Sequence, residues 1–567
     1  MTGMPRRLPP LGERCGVVAR ASAEKVTIVA AAAEVTPGDL FLVPVVAAAD
    51  DLAVHLLRAV ECRRRPWRVD DPVEIAKARI EMPDAWSAEG EPRGPLLDVD
   101  CEIALQAEMR DGSLRVGRVT RVPALFADAY LVAPGGAAES CLREMLEADL
   151  AGELVLGSLR AGCARLPSIP VRLRISDFAS HVAVLGKTGA GKSHAIGVLV
   201  EEARAHATAG APQRLGLLVL DPHDEHGPDR ELRRERPRAP FRYSRADVVP
   251  ADLAPLVEFE PLSLAFAEEA AREHEERWID ELRLSTPASA QAAARELGLF
   301  GPPRARRGRE RPVSFHEETI AAVLRRLAFL GDERCEAFWP SVAPDGAAAY
   351  RSELPGVLSK LERGDVVAID TSGWGELEQA LVASVTARAL FSCRRAVRAA
   401  TDPDDLRRRL GSSFRRQPTL LARIEEAIAT GALPYLREGR CAAIDELAVI
   451  ALVVEEAPML LARDRLRPGT LFREIVRQGR KFGIGLVVVS QQVRGLDPAV
   501  LAQTGTELLL ALGSEDERRA AAEIASAELP GGAAALRGLA TGEAILCSTG
   551  RRLAMPVSIR RRAESRP

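Results

Sequence analysis

Apolar and polar positions are patterned in two different ways along this chain. From residue 14 to about 165, short apolar or β-branched runs are separated by turn-forming breaks. They are GVVARAS, KVTIVAAA and DLFLVPVV, with a Pro-Gly-Asp turn at Pro37–Asp39, and then SLRVGRVTRVP and AYLVAP. Runs of this kind predict strands, and residues 1–165 read as a small β-rich domain, a barrel. From about 170 the runs become continuously apolar and are separated by helical patterns. HVAVLG (181–186), LGLLVLD (215–221), DVVAID (365–370), AVIALVVEE (448–456) and IGLVVVSQ (484–491) predict a parallel sheet covered on both faces, hence an α/β core over 166–567. Between the second and third of these runs, FAEEAAREHEERWIDELRL and ETIAAVLRRLAFL have helical spacing, which predicts an α-helical insertion at about 250–350. PPRARRGRERP (302–312) and a stretch at about 396–447, with Arg407–Arg409 and Arg415–Arg416, read as loops.

Composition adds bounds. A chain of 567 residues is too long for one core. With 47% hydrophobic and 28% charged residues, wholesale disorder is excluded. The net charge of −3 carries no global sign of a nucleic-acid binder, although a ring needs only a few basic groups per subunit around its pore. Nine cysteines are scattered without a CxxC pair, as reduced thiols in a cytosol are. The basic N-terminus MTGMPRRLPPLGERCG lacks the apolar run of a secretory signal, and no uncharged stretch approaches the ~20 residues of a membrane helix. A cytoplasmic protein without membrane contact is expected.

The chemistry begins at Gly186–Ser193, GKTGAGKS. An apolar strand runs straight into Gly186 and an amphipathic helix opens at Ser193, which is the context a phosphate-binding loop requires. Gly186, Gly189 and Gly191 let the backbone turn tightly and aim amides inward, while Lys187, Thr188 and Ala190 complete the loop. His194 continues into a helix whose dipole favours an anion. Lys192 is suited to the β- and γ-phosphates and the Ser193 hydroxyl to Mg²⁺, so ATP with Mg²⁺ is the expected cofactor pair.

Hydrolysis also needs carboxylates at the carboxyl ends of strands. Runs end in acid at Asp221, at Asp370 and at Glu455–Glu456, and Asp445–Glu446 is a weaker candidate behind the short run Ala442–Ile444. His223 and His226 beside acids admit a metal reading, but no second His/Cys group accompanies them.

GKTGAGKS, LVLDPHDEHG, VVEEAPML and RQGRKFGIGLVVVSQQ, in that order, resemble the HerA helicases of the HerA/FtsK superfamily, over residues 14 to about 560. The resemblance implies an N-terminal barrel before a RecA-like P-loop ATPase core. It implies that Glu455 stands where the family has the Mg²⁺-associated aspartate, one methylene shorter, and that Glu456 directs or deprotonates the attacking water. The family pattern Asp-x-His-x-Glu falls on Asp221, His223 and Glu225, with Glu225 facing the nucleotide. It also makes Gln491 a polar sensor of the γ-phosphate, a task that suits a neutral amide. In REIVRQGRKFG, Arg473 and Arg477 lie four apart on one helical face, and the RKFG match makes Arg480 the arginine delivered to a neighbouring subunit.

The function so implied is that of an ATP-dependent DNA translocase or helicase. It would act as a homo-hexameric ring on duplex DNA without sequence preference, in double-strand break end processing, with a NurA-like nuclease or other effector as partner. Arg304, Arg306, Arg307 and Arg309 are candidates for phosphate contacts, whereas 4% aromatic content does not favour base stacking. The alternatives are an antiphage, packaging or conjugation motor, and a nucleotide-binding scaffold that hydrolyses weakly because of Glu455.

Overall fold

The computed structural model describes residues 10–23, 25–30, 35–48, 51–64, 96–110, 113–210, 212–222, 241–253, 256–257, 259–283, 315, 317–331, 335–341, 349–466 and 470–562. The chain divides into two compact units. One comprises 1–174, 185–199 and 505–567; the other comprises 175–184 and 200–504.

In the first unit, β1 (Gly16–Ala21), β2 (Val26–Ala30), β3 (Leu40–Ala48), β4 (Asp51–Arg64), β5 (Leu97–Arg110) and β7 (Asp128–Leu131) pair antiparallel in the order β2-β1-β7-β3-β4-β5, and β2 pairs again with β5. The second pairing closes a six-stranded barrel, and β6 (Ser113–Gly117) continues outward from β5. Alternate residues fill the interior: Val26, Ile28 and Ala30, Phe41 and Val43, Leu57 and Ala59, Val99 and Cys101 all lie in one buried cluster. That is the period-two pattern a strand imposes, and irregular registers in β1 and β4 give the local bends that closure needs. The Pro-Gly-Asp turn is present, with Gly38 at φ 93° and Asp39 Oδ2 accepting from the Thr36 amide at 2.7 Å.

The second unit holds the parallel sheet. Its strands are β10 (Val182–Leu185, the last residue falling in the first unit), β11 (Leu215–Asp221), β14 (Val366–Asp370), β17 (Val449–Val454) and β18 (Ile484–Ser490), with short pairs β12 (Tyr243–Ser244) with β13 (Phe338–Trp339) and β15 (Leu436–Arg437) with β16 (Arg440–Cys441) outside it. The order is β14-β11-β17-β18-β10. β18 thus separates the acid-bearing β17 from β10, the arrangement of RecA-like ATPase cores. Every residue of β11 and β18 is buried, which accounts for their unbroken apolar sequence.

Between β11 and β14 lie the helices Pro250–Leu253, Pro261–His274, Trp278–Arg283 and Glu317–Leu327, the expected insertion. A buried polar network anchors it. Arg388, on the long helix Glu376–Ala399, donates to Asp252 at 2.8 Å and to Gln417 at 3.0 Å, while Asp247 accepts from the Ser244 amide, Tyr350 and Ser352. Burial pushes the Asp247 carboxyl up to about 6. A second buried pair, Arg394–Glu362 at 2.7 Å, also takes the Tyr435 hydroxyl, and neither charged side chain is exposed.

The stretch at 396–447 is not a loop. Arg407–Arg409 ride on the helix Pro403–Ser413, capped by Asp402, which accepts from the Asp405 amide at 2.8 Å, and Arg415–Arg416 sit on the turn that joins it to the helix Pro418–Ala429. Leu406, Leu410, Leu420 and Ile424 form the buried stripe, and Arg407 and Arg409 pair with Asp404 and Asp405 one turn away. Arginine density masked that spacing. Residues 302–312, with Arg304, Arg306, Arg307 and Arg309, lie outside the described residues.

In the first unit, β8 (Leu154–Ala161), β9 (Ala164–Leu173), β19 (Thr506–Leu509), β20 (Glu543–Ser548) and β21 (Met555–Ile559) run antiparallel in the order β19-β20-β21-β8-β9.

Candidate functional site

The phosphate loop belongs to the first unit. The Leu510 amide donates to the Leu185 carbonyl at 2.8 Å, and the Lys187 amide to the Ala511 carbonyl at 2.8 Å, so strand pairing fixes both ends of the turn into the loop. Gly189 and Gly191 have φ of 75° and 104°, where side chains are strained. At Gly186 the obstacle is contact, since a Cβ would come within 2.8 Å of Leu510 Cβ. Lys187, Thr188 and Gly189 are exposed, and Gly191, Lys192, Ser193 and His194 are half-buried at the start of the helix Lys192–Thr208. Lys192 Nζ donates to the Gly186 and Lys187 carbonyls at 2.9 and 3.1 Å, which lays the ammonium across the loop. His194 is tied by Nε2 to the Arg560 carbonyl at 2.8 Å. Glycines that permit the turn, a cation over it and a helix N-terminus behind it together make an anion cradle.

The acids belong to the second unit. Glu455 and Glu456 follow β17 directly, and the Ala457 amide donates to the Val489 carbonyl at 3.1 Å, drawing the turn onto the end of β18. Gln491 lies one residue beyond β18, and its Nε2 donates to Glu456 Oε1 at 3.0 Å. Glu456 has φ 48°, a left-handed conformation rare for a residue with a side chain. The structure thus brings together two of the residues singled out for hydrolysis. Asp221 ends β11 opposite Asp370 of β14; Asp221 is buried and Asp370 exposed. Glu225, His223 and His226 lie outside the described residues.

Asp445 and Glu446 do not end a strand. They sit on the single turn Ile444–Glu446, where Arg440 grips the Glu446 carboxylate at 2.6 Å and holds it down at about 2. Arg473 donates to the Leu466 carbonyl at 2.9 Å. Arg477 and Arg480 are exposed and make no side-chain hydrogen bond or ion pair among the described residues; Arg480 sits on the turn Gly479–Phe482.

Sequence reading missed the segments that support the phosphate loop from far along the chain, Leu510–Ala511 and the turn Ala540–Glu543. Thr541 and Gly542 bond loop carbonyls. TGE at 541–543 carries a turn signal, but only the topology of β19 and β20 brings it to the loop.

These features define a RecA-like P-loop NTPase. Within that class, residues 154–390 match the family described as helicase HerA, central domain, so the resemblance to HerA is borne out. The DNA double-strand break repair helicase HerA of Sulfolobus acidocaldarius is 38% identical over 101 residues, 17% of this chain and 20% of that protein. The HerA of Pyrococcus furiosus is 24% identical over 421 residues, 70% of this chain and 67% of that protein. The closely similar stretch therefore spans about a fifth of the Sulfolobus relative. Among solved structures, the plasmid coupling protein TrwB with the GTP analogue GDPNP superposes with a TM-score of 0.43 at 12% identity, covering 77% of this chain and 95% of that one.

Proposed function

We propose that this chain is an ATP-driven DNA translocase or helicase that works as a homo-hexameric ring on duplex DNA, with a nuclease or other effector as partner, in the processing of DNA ends in the cytoplasm. The observation that carries the hydrolytic part is the Gln491–Glu456 hydrogen bond at the ends of two adjacent parallel strands. It supports Glu456 as the group that directs water and Gln491 as the amide that reports the γ-phosphate. Lys192 and Ser193 hold phosphate and metal in this reading. Mg²⁺ suits such a donor set because it takes one or two protein oxygens and completes its shell with phosphate and water. Of the arginines in REIVRQGRKFG, Arg480 and Arg477 are exposed, and Arg480 is the one this reading assigns to a neighbouring subunit's nucleotide. No helix among the described residues is long and apolar enough to cross a membrane.

Phosphate release with and without linear duplex DNA tests the reading. DNA-stimulated turnover that vanishes in Lys192→Ala supports the motor. Tight ATP binding without turnover under any DNA condition replaces it with a nucleotide-binding scaffold, in which Glu455 fails to stand in for the shorter acid. A strict monomer in the presence of ATP and DNA removes the ring.

A further inference from the structure

The turn Ala540–Glu543 leans on the phosphate loop through two hydrogen bonds. Thr541 Oγ1 donates to the Gly189 carbonyl at 3.2 Å, and the Gly542 amide donates to the Ala190 carbonyl at 3.3 Å. Both contacted peptides are trans and planar, so a carbonyl held toward the turn forces the next amide to the opposite side. The Ala190 amide accordingly donates to the Lys187 carbonyl at 3.2 Å, and the Gly191 amide faces away from the turn.

The turn is itself held firmly. Glu543 accepts from the Ala540 amide at 2.9 Å and pairs with Arg160 at 2.7 Å, and the side chains of this pair are only 22% and 14% exposed. The Ile559 amide donates to the Gly542 carbonyl at 2.9 Å, locking the turn to β21. A Cβ on Gly191 would stand 3.3 Å from the Gly542 nitrogen, so the approach also uses the absent side chain of that glycine.

We propose that the Ala540–Glu543 turn is a positioning element for the nucleotide: the Gly542 contact turns the Gly191 amide away from the turn, and the Thr541 hydroxyl holds the Gly189 peptide so that the loop keeps this shape before phosphate arrives. This inference rests on the ATP reading of the loop. Amides that are already oriented lose less freedom on binding, so the turn acts on affinity rather than on the chemical step.

The test uses the full-length chain, a fluorescent ATP analogue with Mg²⁺, and the variants Thr541→Val, Thr541→Ser and Lys192→Ala. Loss of one neutral hydrogen bond weakens binding about five-fold in Thr541→Val, with KM for ATP rising in step and kcat changing little. Thr541→Ser restores both. Because Thr541 is exposed, the nucleotide-free melting temperature stays at the wild-type value. Wild-type affinity in Thr541→Val, or a lowered nucleotide-free melting temperature with unchanged affinity, overturns the proposal while Lys192→Ala still reports on the loop. Failure of the folded wild type to bind the analogue overturns the ATP reading, and this proposal with it.

Discussion

Gln491 Nε2 donates to Glu456 Oε1 across 3.0 Å, which joins the residue after β18 to the second residue after β17. An amide so placed fixes the direction of the carboxylate while leaving its other oxygen for water. Glu456→Gln is therefore expected to keep ATP affinity within about two-fold and to lower kcat by about 10²-fold or more, the range of a lost general base. Gln491→Ala should lower kcat by about 10-fold and leave Kd nearly unchanged. Single-turnover phosphate release beside equilibrium binding checks both, and a Glu456→Gln chain that hydrolyses normally removes Glu456 from the chemistry.

Lys192 lies across the Gly186 and Lys187 carbonyls and is the cation of the loop. Lys192→Ala should abolish the thermal stabilisation that saturating MgATP gives the wild type, which at 100 times Kd amounts to about 2.7 kcal/mol. A melting curve with and without nucleotide reads this directly. An equal upward shift in the variant would place the nucleotide elsewhere.

The Arg394–Glu362 pair is fully buried, and burial pushes the Tyr435 hydroxyl up, so that it stays a donor to Glu362. Arg394→Met leaves a carboxylate stranded and should destabilise the second unit by about 3–5 kcal/mol. Arg394→Met with Glu362→Leu should recover most of that loss, because the stranded charge is gone. Chemical denaturation of the three chains measures it; a single variant as stable as wild type contradicts the account.

Asp247 titrates at about 6 in the fold because burial outweighs its bonds from Ser352, the Ser244 amide and Tyr350 and the nearby Arg388 charge. Its ordinary value is 3.8. The folded chain thus holds the proton more tightly than the unfolded one. The stabilisation is complete below about 4 and is lost as pH rises through about 6. Asp252, raised by burial and paired with Arg388, works in the same direction. Asp247→Asn should flatten the fall of melting temperature between pH 4.5 and 6.5; an unchanged slope would show that other groups set it.

The phosphate loop was legible because eight contiguous residues carry it and its strand and helix adjoin it in sequence. The parallel strands were legible for a related reason: burial on both faces leaves each one an unbroken apolar run. Closure of the barrel was less visible, since it depends on β2 meeting β5, some seventy residues apart, and no local pattern records that register. Asp445–Glu446 looked like a strand end because a short apolar run preceded it, yet the Arg440 pair makes it a solvated turn. The Arg-rich stretch looked like a loop because charge outnumbers the four leucine and isoleucine positions that make it helical. Thr541 was beyond reach altogether, lying about 350 residues from the carbonyl it holds.

The left-handed backbone at Glu456 has a consequence for what selection can keep there. Glycine takes such a conformation without strain, whereas a side chain costs about 1 kcal/mol or more. Glu456→Gly would thus relieve that backbone strain and, on the proposed reading, remove the group that directs water. On that reading, a glutamate at this position gives up some stability of the fold in exchange for turnover.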